Sequence, residues 1–346
     1  MEERLERYSR QTRFQPIGLK GQEAICTSHV VIVGMGALGT VLANHMVRAG
    51  VARLTLIDRD YVEPSNLQRQ MLYDERDAEQ ALPKVIAAER KLTAIREDVS
   101  ISAHLTDLTR DNVQELLAGA DLVLDGTDNF STRLLLNDAC YQLGMPYLYS
   151  GVVGSEGMTA TFVPGETGCF RCLTGLYEHG SLHGSMQGET CDTAGVISPA
   201  VDMVASLQAA EAIKLLSGHA SDRLWVRLNC WPFASKAVPI PDSSPVCPVC
   251  RGDRYPSLEP VAHEEEAVYL CGRESFQFPT FASEQSMAEW AARFRAWGKV
   301  QVNPYVCKVE LPEGERLILF TDGRVLIQGT DELSRAKSLY ARYIGN

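Results

Sequence analysis

Two Cys-x-x-Cys pairs, Cys169-Phe-Arg-Cys172 and Cys247-Pro-Val-Cys250, have the spacing of zinc-binding turns. Four thiolates from two such turns close a tetrahedral site with no position left for water, so a zinc ion there would be structural. Two independent pairs, one of them redox-active, are the alternative. The second constellation is Gly34-x-Gly36-x-x-Gly39, set between an apolar run and a helical pattern. Glycines at these positions allow a tight turn and let an anion approach the free N–H groups of a helix start. Asp58 ends the next apolar run, where a carboxylate accepts hydrogen bonds from ribose hydroxyls. Beyond it, Asn66, Arg69 and Lys84 put one polar donor and two cations where nucleotide phosphates lie. A dinucleotide needs little of that charge. A triphosphate losing pyrophosphate needs it at both the attacked phosphorus and the leaving group. The glycine motif by itself leaves a nicotinamide or flavin cofactor and another adenine nucleotide equally open, and a solvated charged loop is the plain alternative for the three polar residues. Asp128, in Asp125-Gly-Thr-Asp-Asn129, falls where a buried strand ends. It suits a magnesium ion bridging to phosphates, or the N-cap of the helix that follows.

The elements that must hold these residues are legible as an alternation. Val30 to Val33, Arg53 to Asp58, Ile101 to Leu105 and Leu122 onward read as strands. Thr40 to Ala49, Lys84 to Arg96, Asp111 to Leu117 and Thr132 to Leu143 read as helices, and Gly50 sits where a helix C-cap belongs. Strands alternating with helices predict a parallel, doubly wound, Rossmann-like α/β sheet covered on both faces. Tyr147 to Val163 reads as further strands and Pro199 to Leu216 as an amphipathic helix. Residues of about 175–195 form a glycine-rich stretch with little periodicity, expected to be a mobile loop. The expected organisation is a domain over 1–255, an acidic linker over 256–266 and a small C-terminal α/β domain over 267–346. In that last part, Asp322-Gly323 between Ile318-Leu-Phe320 and Val325-Leu-Ile327 is a hairpin signal.

The 346 residues carry a formal charge of −11, which argues against coating nucleic acid or a membrane surface. No apolar run approaches the roughly 20 residues that span a bilayer, and the charged start, Met-Glu-Glu-Arg-Leu-Glu-Arg, lacks a secretory core. A cytoplasmic address is expected, where Cys-x-x-Cys pairs are metal or redox sites and not disulfides. Cys191 lies in Glu189-Thr-Cys-Asp-Thr-Ala-Gly195 without the apolar company of a core cysteine. Cys26, Cys140, Cys230 and Cys307 read as packing residues, and His179 and His183 as solvated.

The ordered set Tyr8-Ser-Arg-Gln11, Gly34-Met-Gly-Ala-Leu-Gly39, Ser65-Asn-Leu-Gln-Arg-Gln70, Pro83-Lys84, Asp125-Gly-Thr-Asp-Asn129 and Cys191-Asp-Thr-Ala-Gly-Val196 resembles the ThiF/MoeB/HesA family, bacterial relatives of ubiquitin-activating enzymes. The resemblance runs from about Leu5 to Gly252. It implies an ATP-dependent adenylyltransferase that activates the C-terminal Gly-Gly carboxylate of a ubiquitin-like sulfur carrier, of the thiamine-thiazole (ThiS) or molybdopterin (MoaD) type. It implies that Asp58 holds the ribose, that Asn66, Arg69 and Lys84 hold the phosphates and that Asp128 holds magnesium. Gly34, Gly36, Ala37, Gly39, Ser65, Leu67, Gln68 and Asn129 complete the implied nucleotide site; Ala37 departs from the glycine many relatives carry there. It further implies a homodimer in which Arg10 reaches the neighbouring subunit's site, and a Cys191 thiol that attacks the activated carrier or handles its persulfide. The C-terminal part shows no rhodanese-like loop, so a separate sulfurtransferase or cysteine desulfurase is the expected sulfur source. The rival readings are an NAD-dependent Rossmann oxidoreductase and a non-catalytic zinc scaffold.

Overall fold

A computed structural model of the chain describes residues 6–177, 194–252, 254–260, 268–270, 275–278 and 285–345. Most of the expected mobile loop, with His179, His183 and Cys191, lies outside the described residues, as does Cys271. The chain divides into two units, the first comprising Met1–Arg59, Ser65–Tyr73 and Lys84–Glu259, the second Asp60–Pro64, Asp74–Pro83 and Pro260–Asn346.

In the first unit, β1 (His29–Val33) is buried along its whole length, as a strand covered on both faces must be. With β2 (Arg53–Asp58), β3 (Ser100–Leu105), β4 (Leu122–Asp125) and β5 (Tyr147–Val153) it forms a parallel array in the order β3-β2-β1-β4-β5. The order reverses between β1 and β4, where Val33 pairs with Asp125, and such a reversal opens a crevice beyond the carboxyl ends of the strands. Three antiparallel strands, β6 (Glu156–Phe162), β7 (Leu224–Cys230) and β8 (Phe233–Pro239), extend the sheet to eight among the described residues. β8 exposes nearly every residue, so it lacks the alternation by which a half-buried strand is read from sequence.

Helices Ala37–Ala49, Lys84–Ile95 and Ser198–Leu216 pack together on the sheet. Helix Phe130–Leu143 buries Leu134, Leu135 and Leu136 in a cluster with Val31, Val33, Val123, Tyr147 and Tyr149. The first of these helices ends as expected at Gly50, whose φ of 108° is one a side chain would disfavour. That end also anchors the N-terminal segment: Gln11 Nε2 donates to Ala49 O at 3.0 Å and to Gln22 Oε1 at 2.6 Å.

In the second unit, β9 (Val268–Leu270), β10 (Ser275–Phe278), β11 (Lys299–Val302), β12 (Val306–Glu310), β13 (Arg316–Phe320) and β14 (Val325–Gln328) form an antiparallel sheet ordered β11-β12-β13-β14-β10-β9. The Asp322-Gly323 hairpin joins β13 to β14, with Gly323 at φ 85°. Helices Met287–Phe294 and Leu333–Tyr343 put Trp290, Phe294, Leu339 and Tyr343 against Val309, Leu317 and Leu319. Tyr61, from the segment Asp60–Pro64 of the same unit, lies 6.4 Å ring to ring from Phe320 and has the Lys308 ammonium 5.4 Å over its own ring.

Candidate functional site

At the reversal point the backbones of two loops meet through glycines. A Cβ on Gly39 would lie 1.8 Å from Gly34 O, and one on Gly34 would lie 2.7 Å from Gly126 O. Side chains at these positions would push the β1 loop, the helix start and the β4 loop apart. Gly36 caps helix Ala37–Ala49 without a side-chain hydrogen bond, so the helix presents its first N–H groups at the crevice. The Met35 N–H donates to Asp58 Oδ2 at 2.6 Å, which ties the end of β2 to the glycine loop.

Further along, the Gln70 amide nitrogen lies 3.8 Å from where a Gly36 Cβ would stand; Gln70 is 3% exposed and its Oε1 has no hydrogen-bond partner. A buried acceptor left open beside a helix start is a place for a ligand donor. Tyr73 OH lies 2.7 Å from Met35 O and 3.2 Å from Lys84 O, so one hydroxyl joins the glycine loop to the start of helix Lys84–Ile95. Asn66 and Lys84 are buried, while Arg69 is half-buried, its Nη1 donating to Ser65 O at 2.9 Å. Ser65 and Gln68 are exposed, and Leu67 and Ala37 are half-buried.

The β4 loop is shaped from below. Asp125 is fully buried and accepts from Thr127 N at 2.8 Å, Thr127 Oγ1 at 2.7 Å and Tyr147 OH at 2.6 Å. Burial pushes its carboxyl up, against the pull of the Arg133 guanidinium and the Tyr147 and Thr127 hydroxyls. Arg133 in turn donates to Thr127 O at 2.7 Å and lies 5.1 Å over the Tyr149 ring. The turn so fixed leaves Asp128 exposed, with the N-cap role taken by Asn129, whose Oδ1 accepts from Ser131 N at 2.8 Å and Thr132 N at 3.3 Å. Of the two readings of Asp128, capping is therefore removed. Gln70, Tyr73, Asp125, Tyr147 and Arg133 were not singled out from sequence; Gln70 and Asp125 lay inside quoted motifs, but nothing local marks Tyr73, Tyr147 and Arg133.

Arg10 is exposed on the short helix Ser9–Thr12, beside Gln11, which is bonded to Ala49 at the far end of helix Ala37–Ala49. That helix has 13 residues, so its two ends stand about 20 Å apart at 1.5 Å per residue. The chain's own glycine loop is at the other end.

The four cysteines converge. Cys169 Sγ lies 4.0 Å from Cys172 Sγ and 3.6 Å from Cys247 Sγ, and Cys172 Sγ lies 3.6 Å from Cys250 Sγ. A tetrahedron with Zn–S bonds of about 2.3 Å has edges of about 3.8 Å, whereas a disulfide needs about 2.05 Å. The thiols fit zinc and exclude pairing, and Ser244 N donates to Cys172 Sγ at 3.4 Å. Between the first two ligands, Phe170 packs 4.9 Å from the Tyr149 ring, and Arg171 makes a buried fork with Asp138 at 2.7 and 2.8 Å. Ser257 N also donates to Asp138 at 2.8 Å, so the chain leading away from the cysteines is tied to helix Phe130–Leu143. Among the described residues this is the only cluster of metal-ligating side chains, and no helix there is long and apolar enough to cross a membrane.

Comparison with known proteins gives a consistent picture. The ThiF family model matches residues 8–249. The chain is 42% identical over 342 residues to the sulfur carrier protein ThiS adenylyltransferase of Bacillus subtilis, covering 98% of this chain and 99% of that protein. It is 39% identical to the molybdopterin-synthase adenylyltransferase of Salmonella typhimurium, over 62% of this chain and 82% of that protein. Among solved structures, Escherichia coli MccB, crystallised with ATP, superposes with a TM-score of 0.59 at 24% identity, covering 71% of this chain and 74% of that one; this likeness concerns the fold.

Proposed function

The chain belongs to the ThiF family, and from that premise we propose that it is an ATP-dependent adenylyltransferase that activates the C-terminal carboxylate of a ubiquitin-like sulfur carrier. The observation that carries this reading is the end-to-end match to a ThiS adenylyltransferase, which spans the second unit as well as the first. The geometry agrees with it: the glycine crevice, the open Gln70 acceptor and the Tyr73 link to Lys84 make one continuous cradle.

In the proposed reaction a carrier carboxylate oxygen attacks the α-phosphorus of ATP. The new O–P bond forms as the bond to the bridging oxygen breaks, and pyrophosphate leaves with that electron pair. The carboxylate is already ionised, so no protein base is required; the protein supplies alignment and charge. Gly34, Gly36, Ala37 and Gly39 admit the phosphates to the helix start. Asp58 is assigned to the ribose, and Ser65, Asn66, Leu67, Gln68, Arg69 and Lys84 to the walls and charges around the triphosphate. Asp128, an exposed carboxylate released from capping by Asn129, has the oxygen donors that magnesium prefers. Magnesium when bound would neutralise phosphate charge.

Arg10 is proposed to serve the site of a second copy, since its anchor lies at the far end of the helix from its own glycine loop. Zinc is assigned to Cys169, Cys172, Cys247 and Cys250 in a structural role. Cys191 is proposed as the thiol that meets the activated carrier, with a separate sulfurtransferase or cysteine desulfurase as sulfur source. A cytoplasmic setting fits four reduced thiols. The test is carrier-dependent ATP–pyrophosphate exchange with ThiS-type and MoaD-type carriers in parallel. Exchange with one of them is expected, and exchange with neither would overturn the reading.

A further inference from the structure

Two of the three glycines at the crevice are demanded by the chain itself, since a Cβ on Gly34 or Gly39 would collide with backbone oxygens. Gly36 is different. Its φ of −81° is open to any residue. Among the described residues, and outside its own helix and chain neighbours, the one heavy atom within 4 Å of where its Cβ would stand is the Gln70 amide nitrogen, at 3.8 Å. The protein leaves the space over Gly36 open and sets a side-chain amide against it. That space lies at the N-cap of a 13-residue helix whose cap makes no side-chain hydrogen bond.

The stretch that carries Gln70 turns it inward. Gln70 N donates to Asn66 O at 2.9 Å and Tyr73 N donates to Gln70 O at 3.1 Å, so the stretch winds with near-helical spacing. Asn66, Gln70 and Tyr73 are buried on one side of it, while Gln68 and Met71 are exposed on the other. The Gln70 backbone is thus satisfied locally, and Tyr73 OH fastens the stretch to Met35 O. The side-chain amide is left over, 3% exposed and with Oε1 unpaired. A buried acceptor without a partner costs free energy in the unliganded protein. Packing does not account for that cost, because an apolar side chain of the same length would avoid it.

Which end of the amide is open decides the chemistry of its partner. Ionised phosphate oxygens only accept hydrogen bonds, so they cannot satisfy Oε1. ATP donates through its ribose hydroxyls and its adenine amino group. The ribose is the nearer of these to the phosphates, being joined to them through C5′. Asp58, which is assigned to the ribose, is tied at 2.6 Å to Met35 N, next to Gly36. We propose that Gln70 is a specificity-determining residue for ribonucleotides, its Oε1 accepting a hydrogen bond from one ribose hydroxyl while Nε2 faces the helix start. The inference deepens the ATP reading of the crevice and rests on it. A buried acceptor built for a hydroxyl rejects the nucleotide that lacks it, because the acceptor then stays desolvated and unpaired.

The test is calorimetric binding of ATP, 2′-deoxyATP and 3′-deoxyATP, each with magnesium, to the full chain. The wild type should bind one of the two deoxynucleotides at least about tenfold more weakly than ATP. Gln70→Met keeps the length of the side chain and removes the strong acceptor; it should bring that preference down to about threefold or less. Gln70→Glu keeps the acceptor and should keep the preference, although its charge opposes the phosphates and weakens all three nucleotides. The preference is a ratio within one protein, so a variant that merely loosens the loop lowers the three affinities together and leaves the ratio unchanged. A wild type that binds all three within about twofold would overturn the inference. So would a Gln70→Met chain with the wild-type preference, or a Gln70→Glu chain without it. Pyrophosphate exchange with ThiS-type and MoaD-type carriers is run beside the binding. A wild type that binds MgATP but exchanges with neither carrier would defeat the adenylation reading alone, and the ratios would still decide on Gln70. A wild type that binds no MgATP would defeat both.

Discussion

Asp128 stands one position before the residue that caps helix Phe130–Leu143, so its proposed magnesium role can be tested apart from helix capping. Asp128→Ala should abolish carrier-dependent pyrophosphate exchange by lowering turnover while zinc content and thermal midpoint stay at wild-type values. Exchange at the wild-type rate would remove Asp128 from the site. Beneath it, Tyr147→Phe deletes the hydroxyl 2.6 Å from the buried Asp125 carboxylate and should cost about 1–3 kcal/mol. The sign of its pH dependence follows from burial. Asp125 has a folded-state pKa above its unfolded one, so its contribution is full below the unfolded value and is lost as pH rises through the folded value. Losing the Tyr147 hydroxyl, which pulls that pKa down, should stretch the loss to higher pH. Urea midpoints measured from pH 4 upward would show it, and parallel wild-type and variant curves would contradict it.

At the scale of elements, the zinc turn is secured twice, by its thiols and by the Arg171–Asp138 fork buried between them. Cys250→Ser should lose the zinc and much of the unit's resistance to denaturant, because a structural zinc ion contributes folding free energy. Asp138→Ala leaves the Arg171 guanidinium buried without its partner and should cost roughly 3–5 kcal/mol, with faster zinc loss to a chelator. Unchanged chelation kinetics would show the fork to be unrelated to the metal. The parallel half of the sheet was legible because buried strands, Gly50 and the amphipathic helices are each signalled locally. The hairpin of β7 and β8 was not: its turn is Trp231-Pro232, without Asn-Gly or Asp-Gly, and β8 faces solvent. The capping residue was missed by one position because Asp128 and Asn129 are both good caps, and only the backbone decides between them.

For the molecule as a whole, the proposed assignment puts adenylation and thiol chemistry on different parts of the chain. Cys191→Ala should therefore still exchange pyrophosphate and should lose any covalent adduct with the carrier, resolved by non-reducing electrophoresis. Loss of exchange with zinc intact would contradict this division. The glycine loop and the cysteine quartet were visible in the sequence as local spacing, whereas the membership of Asp60–Pro64 and Asp74–Pro83 in the C-terminal unit was not. Asn303 Nδ2 donates to Ala81 O at 2.9 Å across 222 positions, and no local pattern announces such a pairing.

That separation also sets a schedule. Tyr61 and its hydrogen-bond acceptor Gln328 are 267 positions apart, and a ribosome adding roughly 5–20 residues per second needs on the order of 15–50 s to cover the gap. Within that interval the parallel sheet and the zinc turn can close, because the last of their strands and thiols is made by Cys250, well before Gln328. The segments around Tyr61 and Ala81 must wait for the last strands. A nascent chain arrested after Cys250 but before β12 should therefore already hold zinc, while the amide of Val62, bonded to Leu82 O, should gain protection from hydrogen exchange only once the last strands are made.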